Sequence, residues 1–201
     1  MAATDPTSQI LRMARKAGVI RHREVTERGI HPEYLRRLVA AGELERVSRG
    51  LYRLVEAEIT EHHPLTVVAG RIPEGVVCLL SALRFHELGT QSPGRVWVAL
   101  DRRAAKPQLT EPKIHVVRFS GAALTQGIKT HRLEGVNVKL YCPAKTVADC
   151  FKYRNKVGLD VALEALKAVL HGRKASVDEL LRYAEVCRVR KVMQPYLEAV
   201  V

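Results

Sequence analysis

The feature that most constrains this 201-residue chain is the spacing of its helix stops over the first 55 residues. Asp5-Pro6 supplies a side-chain cap followed by proline at a first helical position. Ile10, Leu11, Ala14 and Ala17 then recur at helical spacing until Gly18. A second short helix fits Arg21 to Arg28 and stops at Gly29. A third starts at Pro32, runs to about Ala41 and meets Gly42. The next run, Leu44 to Leu54, reads as two short strands joined at Ser48-Arg49-Gly50. Three short helices and a hairpin lay out a winged helix-turn-helix.

Beyond that unit, the polar stretch Val55 to Pro64 carries Glu56, Glu58, Glu61, His62 and His63 and reads as a linker. Helices are expected over Pro64–Arg71 and Leu79–Leu88. Strands are expected over Arg95–Leu100 and Lys113–Phe119. A further pair, Ile128–Arg132 and Val136–Tyr141, would turn at Leu133-Glu134-Gly135. From Pro143 onward the chain turns helical, with a capping box at Ser176 and Glu179. The expected class is therefore α+β. Residues 1–56 form the winged helix-turn-helix, and residues 57–201 form a mixed α/β domain ending in a helical bundle.

Charge supplies the first hint of function. The chain holds 33 Lys and Arg against 21 Asp and Glu, for a formal net charge of +12. Residues 1–55 hold 11 Lys and Arg against 6 Asp and Glu, a surplus of 5, while the remaining residues carry a surplus of 7. The surplus is thus about twice as dense in the small N-terminal unit, as a polyanion-binding module requires.

The third helix offers the reading face. Leu35, Leu38 and Val39 form one apolar stripe. The opposite face carries Glu33, Arg36, Arg37 and Ala40, with Tyr34 at the border. An outward arginine pair on a short helix suits the major groove, where arginine can bond both acceptors of guanine. Arg21, His22 and Arg23 open the preceding helix, whose free N–H groups would favour phosphate. Arg46, Arg49 and Arg53 surround the hairpin turn, with Ser48 and Tyr52 as further phosphate donors. The bland alternative is a solvated helix carrying two arginines. Three basic clusters on neighbouring elements favour duplex DNA.

Three strings carry a family resemblance. YLRRLVAAGELERVSRGLYRL at Tyr34–Leu54 resembles the N-terminal winged helix of the AbiEi antitoxins of type IV toxin–antitoxin and abortive phage infection loci. LSALRFHELG at Leu80–Gly89 is similar to that family's S-A-L…H-x-L helix. VKLYCPAKTVADCF at Val138–Phe151 is similar to its strand followed by a P-x-K-T-x-x-D helix. The resemblance implies a cytoplasmic transcriptional repressor that binds promoter inverted repeats, as a dimer on DNA, and autoregulates its operon. It further implies an antitoxin that counters a nucleotidyltransferase toxin without a stable complex.

Other chemistries find less support. The four cysteines, Cys78, Cys142, Cys150 and Cys187, lack C-x-x-C spacing, so neither a zinc site nor a cofactor is expected. No phosphate-binding loop, dinucleotide fingerprint, H-E-x-x-H or nucleophile elbow appears, and no catalytic residue is assigned. Met1–Pro6 lacks a charged region followed by an apolar one, so no export signal is expected, and no apolar run is long enough to span a membrane. His86 reads as a hydrogen-bonded core histidine and Trp97 as core. Lys145 and Asp149, four apart, read as a local surface ion pair. The alternatives are a metal-dependent nuclease using Asp101 and Glu111-Pro112-Lys113, or a protein-binding module built on the winged helix.

Overall fold

A computed structural model describes residues 5–56 and 60–200. Part of the Met1–Pro6 stretch and the middle of the expected linker, including Glu58, lie outside the described residues. The chain is mixed α/β and divides into two compact units. One is Met1–Pro73 with His131–Val138; the other is Glu74–Thr130 with Lys139–Val201. The boundary expected at 56/57 abuts residues outside the description. The helix beyond it belongs to the first unit.

The first unit runs α1 (Pro6–Ala17), β1 (Val19–Arg21), α2 (His22–Thr26), α3 (Glu33–Ala40), β2 (Leu44–Ser48), β3 (Leu51–Leu54) and α4 (His63–Arg71). Asp5 caps α1 by accepting from the Ser8 N–H at 3.2 Å. The three strands form an antiparallel sheet in the order β1-β3-β2. Strand β1 takes Arg21 out of the helix expected to begin there; the register pairs Arg21 with Leu51. The hairpin turns at Arg49-Gly50, where Gly50 has φ 77°, a conformation that suits glycine. One core gathers Ile10, Ala14, Ile20, Val25, Leu35, Leu38 and Leu44. The other face of the sheet is covered by α4, whose Gly70 lies against the Leu51 side chain.

The second unit contains β4 (Val76–Val77), α5 (Leu79–Phe85), β5 (Val96–Asp101), β6 (Ile114–Phe119), α6 (Ala122–Thr125), α7 (Pro143–Lys152), α8 (Arg154–Val157), α9 (Leu159–His171), α10 (Val177–Val186) and α11 (Arg190–Val200). It shares with the first unit the hairpin β7 (Ile128–Leu133) and β8 (Val136–Tyr141). The five strands run β6-β5-β4-β8-β7. Strand β5 pairs parallel with β6 and antiparallel with β4, and β4 pairs parallel with β8, so the sheet is mixed. Helix α7 is the hub of this unit, packed by α5, α9, α10 and α11. Every residue from Ala144 to Phe151 is buried, which a surface helix with one apolar stripe would not show. Helix α10 begins with the expected capping box: Glu179 N–H donates to Ser176 Oγ at 3.2 Å, and Ser176 N–H to Glu179 Oε2 at 3.0 Å.

The β7–β8 turn approaches other backbone closely. Glu134 and Gly135 have φ 46° and 78°, the pair of positive angles that a two-residue hairpin turn uses. Glu134 tolerates this because its carboxylate is held from several sides. It accepts from Thr60 N–H and Thr60 Oγ1, each at 2.9 Å, and meets His63 Nδ1 at 2.7 Å. Gly135 has no freedom to be anything else, since a Cβ there would overlap the Ala17 carbonyl oxygen.

Candidate nucleic-acid interface

Helix α3 presents its faces as its sequence requires. Leu35 and Leu38 are buried, Val39 is half-buried, and Arg36 and Arg37 are exposed. Arg36 Nη1 lies 3.3 Å from Glu33 Oε2, and the Arg36 side chain is 81% exposed. Such a pair is worth well under about 1 kcal/mol and opens readily toward a stronger anion. The Arg37 guanidinium rests 5.5 Å from the centroid of the Tyr34 ring. That contact keeps a half-buried aromatic beneath an outward cation. The two arginines therefore stand on a short helix whose back is fixed in the core.

Around α3, the other expected contacts fall into two groups. Arg21, His22, Arg23, Arg46 and Arg49 are exposed. Arg23 Nε donates to Glu27 Oε1 at 2.6 Å on the surface. Tyr52, by contrast, packs into the core at 9% exposure, because its register places it opposite buried Ile20. Arg53 is 4% exposed and pairs with Glu45 on the face covered by α4, so it leaves the wing surface. Ser48 ends β2, and its side chain lies outside the described residues.

The start of α2 also departs from expectation. Two amides at its start are already used: Arg21 N–H donates to Glu24 Oε2 at 2.7 Å, and His22 N–H to Gly50 O at 2.8 Å. Those two amides of a five-residue helix are therefore not available to phosphate. What Arg21, His22 and Arg23 offer is their side chains. The second of these bonds has a structural use. It ties the hairpin turn, next to Arg49, to the first residue of α2.

Residues weighed for catalysis lie apart from one another in role. His86 Nε2 donates to Tyr141 O at 2.7 Å, as a core histidine would. Asp101 Oδ1 accepts from Arg103 N–H at 2.8 Å, which makes it a strand-ending turn. Trp97 is half-buried and stacks on His115 with ring centroids 3.9 Å apart. Burial, together with Lys156 and Arg95, holds the His115 imidazole below its usual value. Among the described residues, no three His, Cys, Asp or Glu side chains cluster as metal ligands would. Nor, among them, is any helix long and apolar enough to cross a membrane.

Lys145 and Asp149 correct the surface-pair expectation. Both are 0% exposed, with Lys145 Nζ 2.7 and 2.6 Å from the two Asp149 oxygens. The ammonium also lies 4.0 Å from the Tyr141 ring centroid and 4.9 Å from that of Phe119. Cys187 Sγ donates to Asp149 Oδ1 at 3.2 Å. Burial pushes the Asp149 carboxyl above its usual value, and Lys145 pulls it back. The i, i+4 spacing was legible; the burial of the whole helix was not.

Comparison with known proteins finds a family likeness in the first unit. Residues 8–55 match the family described as "Transcriptional regulator, AbiEi antitoxin". That segment runs from within α1 through β3 and agrees with the resemblance carried by Tyr34–Leu54. A crystal structure of the RV2827C protein from Mycobacterium tuberculosis is similar in fold, with a TM-score of 0.60 and 18% identity. The match covers 96% of this chain and 80% of that one. No curated protein matches the chain in sequence.

Proposed function

We propose that the first unit is a winged helix-turn-helix that binds duplex DNA and regulates transcription. The observation that carries this is the exposed Arg36–Arg37 pair on a helix anchored by Leu35 and Leu38. The order helix, strand, two helices and hairpin around a β1-β3-β2 sheet supports it. Helix α3 enters the major groove, with Arg36 and Arg37 toward base edges and Tyr34 beside them. Arg21, His22, Arg23, Arg46 and Arg49 hold phosphates, and Ser48 at the hairpin turn joins them. As an AbiEi-type antitoxin, the protein represses its own operon at inverted repeats as a dimer on DNA. It opposes a nucleotidyltransferase toxin by a route that needs no stable complex, and it does so in the cytoplasm without catalysing a reaction.

The test is a mobility-shift titration of upstream DNA. Each base-reading arginine is worth about 1–3 kcal/mol of discrimination. Arg36→Ala with Arg37→Ala should therefore weaken specific binding by at least tenfold. Arg49→Ala should weaken all duplexes alike and lower the slope of log affinity on log salt by about 0.9. Unchanged promoter binding by the double variant overturns the assignment of α3.

A further inference from the structure

A cleft of about 410 Å³ opens in the second unit, where four cations far apart in sequence converge. Arg102 follows β5, Arg118 lies on β6, Lys152 ends α7, and Arg188 stands between α10 and α11. From this we infer that the cleft is a binding site for a phosphoryl anion, of the size of a nucleotide's phosphate chain. The inference is independent of the DNA-binding reading, which concerns the first unit alone.

The charges in the cleft are unbalanced. Asp149 is the acidic side chain of its lining, and both its oxygens are already bonded by Lys145. Two other exposed cations of this unit do stand against carboxylates, Lys174 with Glu87 and Arg190 with Glu185. Arg102, Lys152 and Arg188 line the cleft exposed and, among the described residues, without such a pairing. Like charges gathered in a concave surface repel one another, and the repulsion is relieved by a bound anion.

The frame of the cleft is rigid. Arg118 is half-buried, and its Nη1 donates to the carbonyls of Asp101 and Ala104, each at 2.8 Å. Two fixed carbonyls hold the guanidinium plane and leave its other donors for a ligand. Tyr153 Oη donates to the Arg118 carbonyl at 3.2 Å, bracing the same strand, and burial pushes its phenol up to about 12. Arg188 sits at φ 58°, a left-handed conformation uncommon for arginine. Three guanidinium groups suit a multivalent oxyanion better than a single carboxylate, because each presents a planar fork of donors. The volume falls in the range of small-ligand sites and exceeds what one phosphate fills.

The same chemistry comes from two sources, a free nucleotide or a phosphate of a nucleic-acid strand. The experiment is isothermal titration of the intact protein at low salt with three probes: inorganic pyrophosphate, ATP without metal, and a single-stranded oligonucleotide lacking a terminal phosphate. The variant is Arg102→Ala with Lys152→Ala, both exposed, with its melting temperature checked against the parent. Binding of ATP and pyrophosphate that falls at least tenfold in this variant, and not in Arg36→Ala with Arg37→Ala, supports a free-nucleotide site. Oligonucleotide binding with the same dependence, and no response to ATP, assigns the anion to a nucleic-acid backbone in the same cleft. Absence of binding by all three probes at millimolar concentration overturns the inference. So does binding that the Arg102–Lys152 variant leaves intact.

Discussion

Removing one member of the Lys145–Asp149 pair should cost more than removing both. The pair lies wholly inside the second unit, at 0% exposure, with two short bonds between ammonium and carboxylate. In Lys145→Met the carboxylate keeps only the Cys187 thiol as a donor among its present partners. An uncompensated buried charge costs about 3–5 kcal/mol. Part of this appears as proton uptake, since burial already raises the Asp149 carboxyl and Lys145 restrains it. In Asp149→Leu the ammonium retains the Tyr141 and Phe119 rings, which recover about 1–2 kcal/mol at most. For a chain of this size about 1 kcal/mol corresponds to about 2–4 °C, so Lys145→Met should melt about 6–20 °C lower and Asp149→Leu about 2–16 °C lower. The double variant, Lys145→Met with Asp149→Leu, replaces the pair by apolar groups among Phe119, Tyr141 and Cys187 of the core. Replacement of this kind is often neutral or stabilising. Urea unfolding of all four proteins measures the coupling. A double variant whose loss equals the sum of the two single losses refutes the reasoning, as does a single variant that loses less than about 1 kcal/mol.

Four smaller predictions concern other parts of the chain. Gly135→Ala combines a positive φ with overlap of the Ala17 carbonyl, so its loss should exceed about 4 kcal/mol. A melting temperature within a few degrees of the parent would contradict that close approach. Burial raises the Glu134 carboxyl, but the bonds from His63 and Thr60 outweigh it, so the group ends below its usual 4.5. A carboxylate depressed on folding stabilises above its unfolded value, and that contribution fades as pH falls through the folded value. Glu134→Gln should therefore flatten the acid limb of the stability curve below about pH 4.5, read from urea midpoints. Burial also pushes the thiols of Cys78, Cys150 and Cys187 up, whereas Cys142 is only half-buried. A thiol reagent should label Cys142 first in the folded protein, and equal labelling of all four would count against the packing of α7. Ser176→Ala removes the cap of α10 and should cost about 1 kcal/mol, measured by chemical unfolding.

The elements legible in the sequence are those whose signals are local. Asp5-Pro6, Gly18 and Gly42 bracket helices because caps and stops act within one turn. Leu133-Glu134-Gly135 announces its hairpin for the same reason. Strands β1 and β4, of three and two residues, carry no period of their own, and only their partners across the sheet define them. Helix α4 was legible as a helix but not as a cover for the small sheet. Its Leu65, Val67 and Val68 bury an apolar face without naming what they bury it against. The linker expected before it carries polar groups that the first unit uses, since Thr60 and His63 hold Glu134.

Charge shows the same division more sharply. In α3 the apolar stripe and the arginine pair share one short helix, so their opposition can be read from spacing alone, and the structure places them so. Arg53 and Tyr52 sit on adjacent residues of one strand, where facing alternates, yet both end buried because the sheet is covered on both sides. A basic residue near a glycine turn is therefore not by that fact on the surface. The converse holds for Arg102, Arg118, Lys152 and Arg188. Each looks like an ordinary solvated charge in its own segment, and together they line one cleft. The surplus of 7 charges beyond residue 55 had no address in the sequence, because the address is made by four elements meeting. If that cleft binds a phosphoryl anion and the first unit binds DNA as proposed, the two charge surpluses serve different ligands: one duplex DNA on an open helix face, the other a compact anion in a concave site.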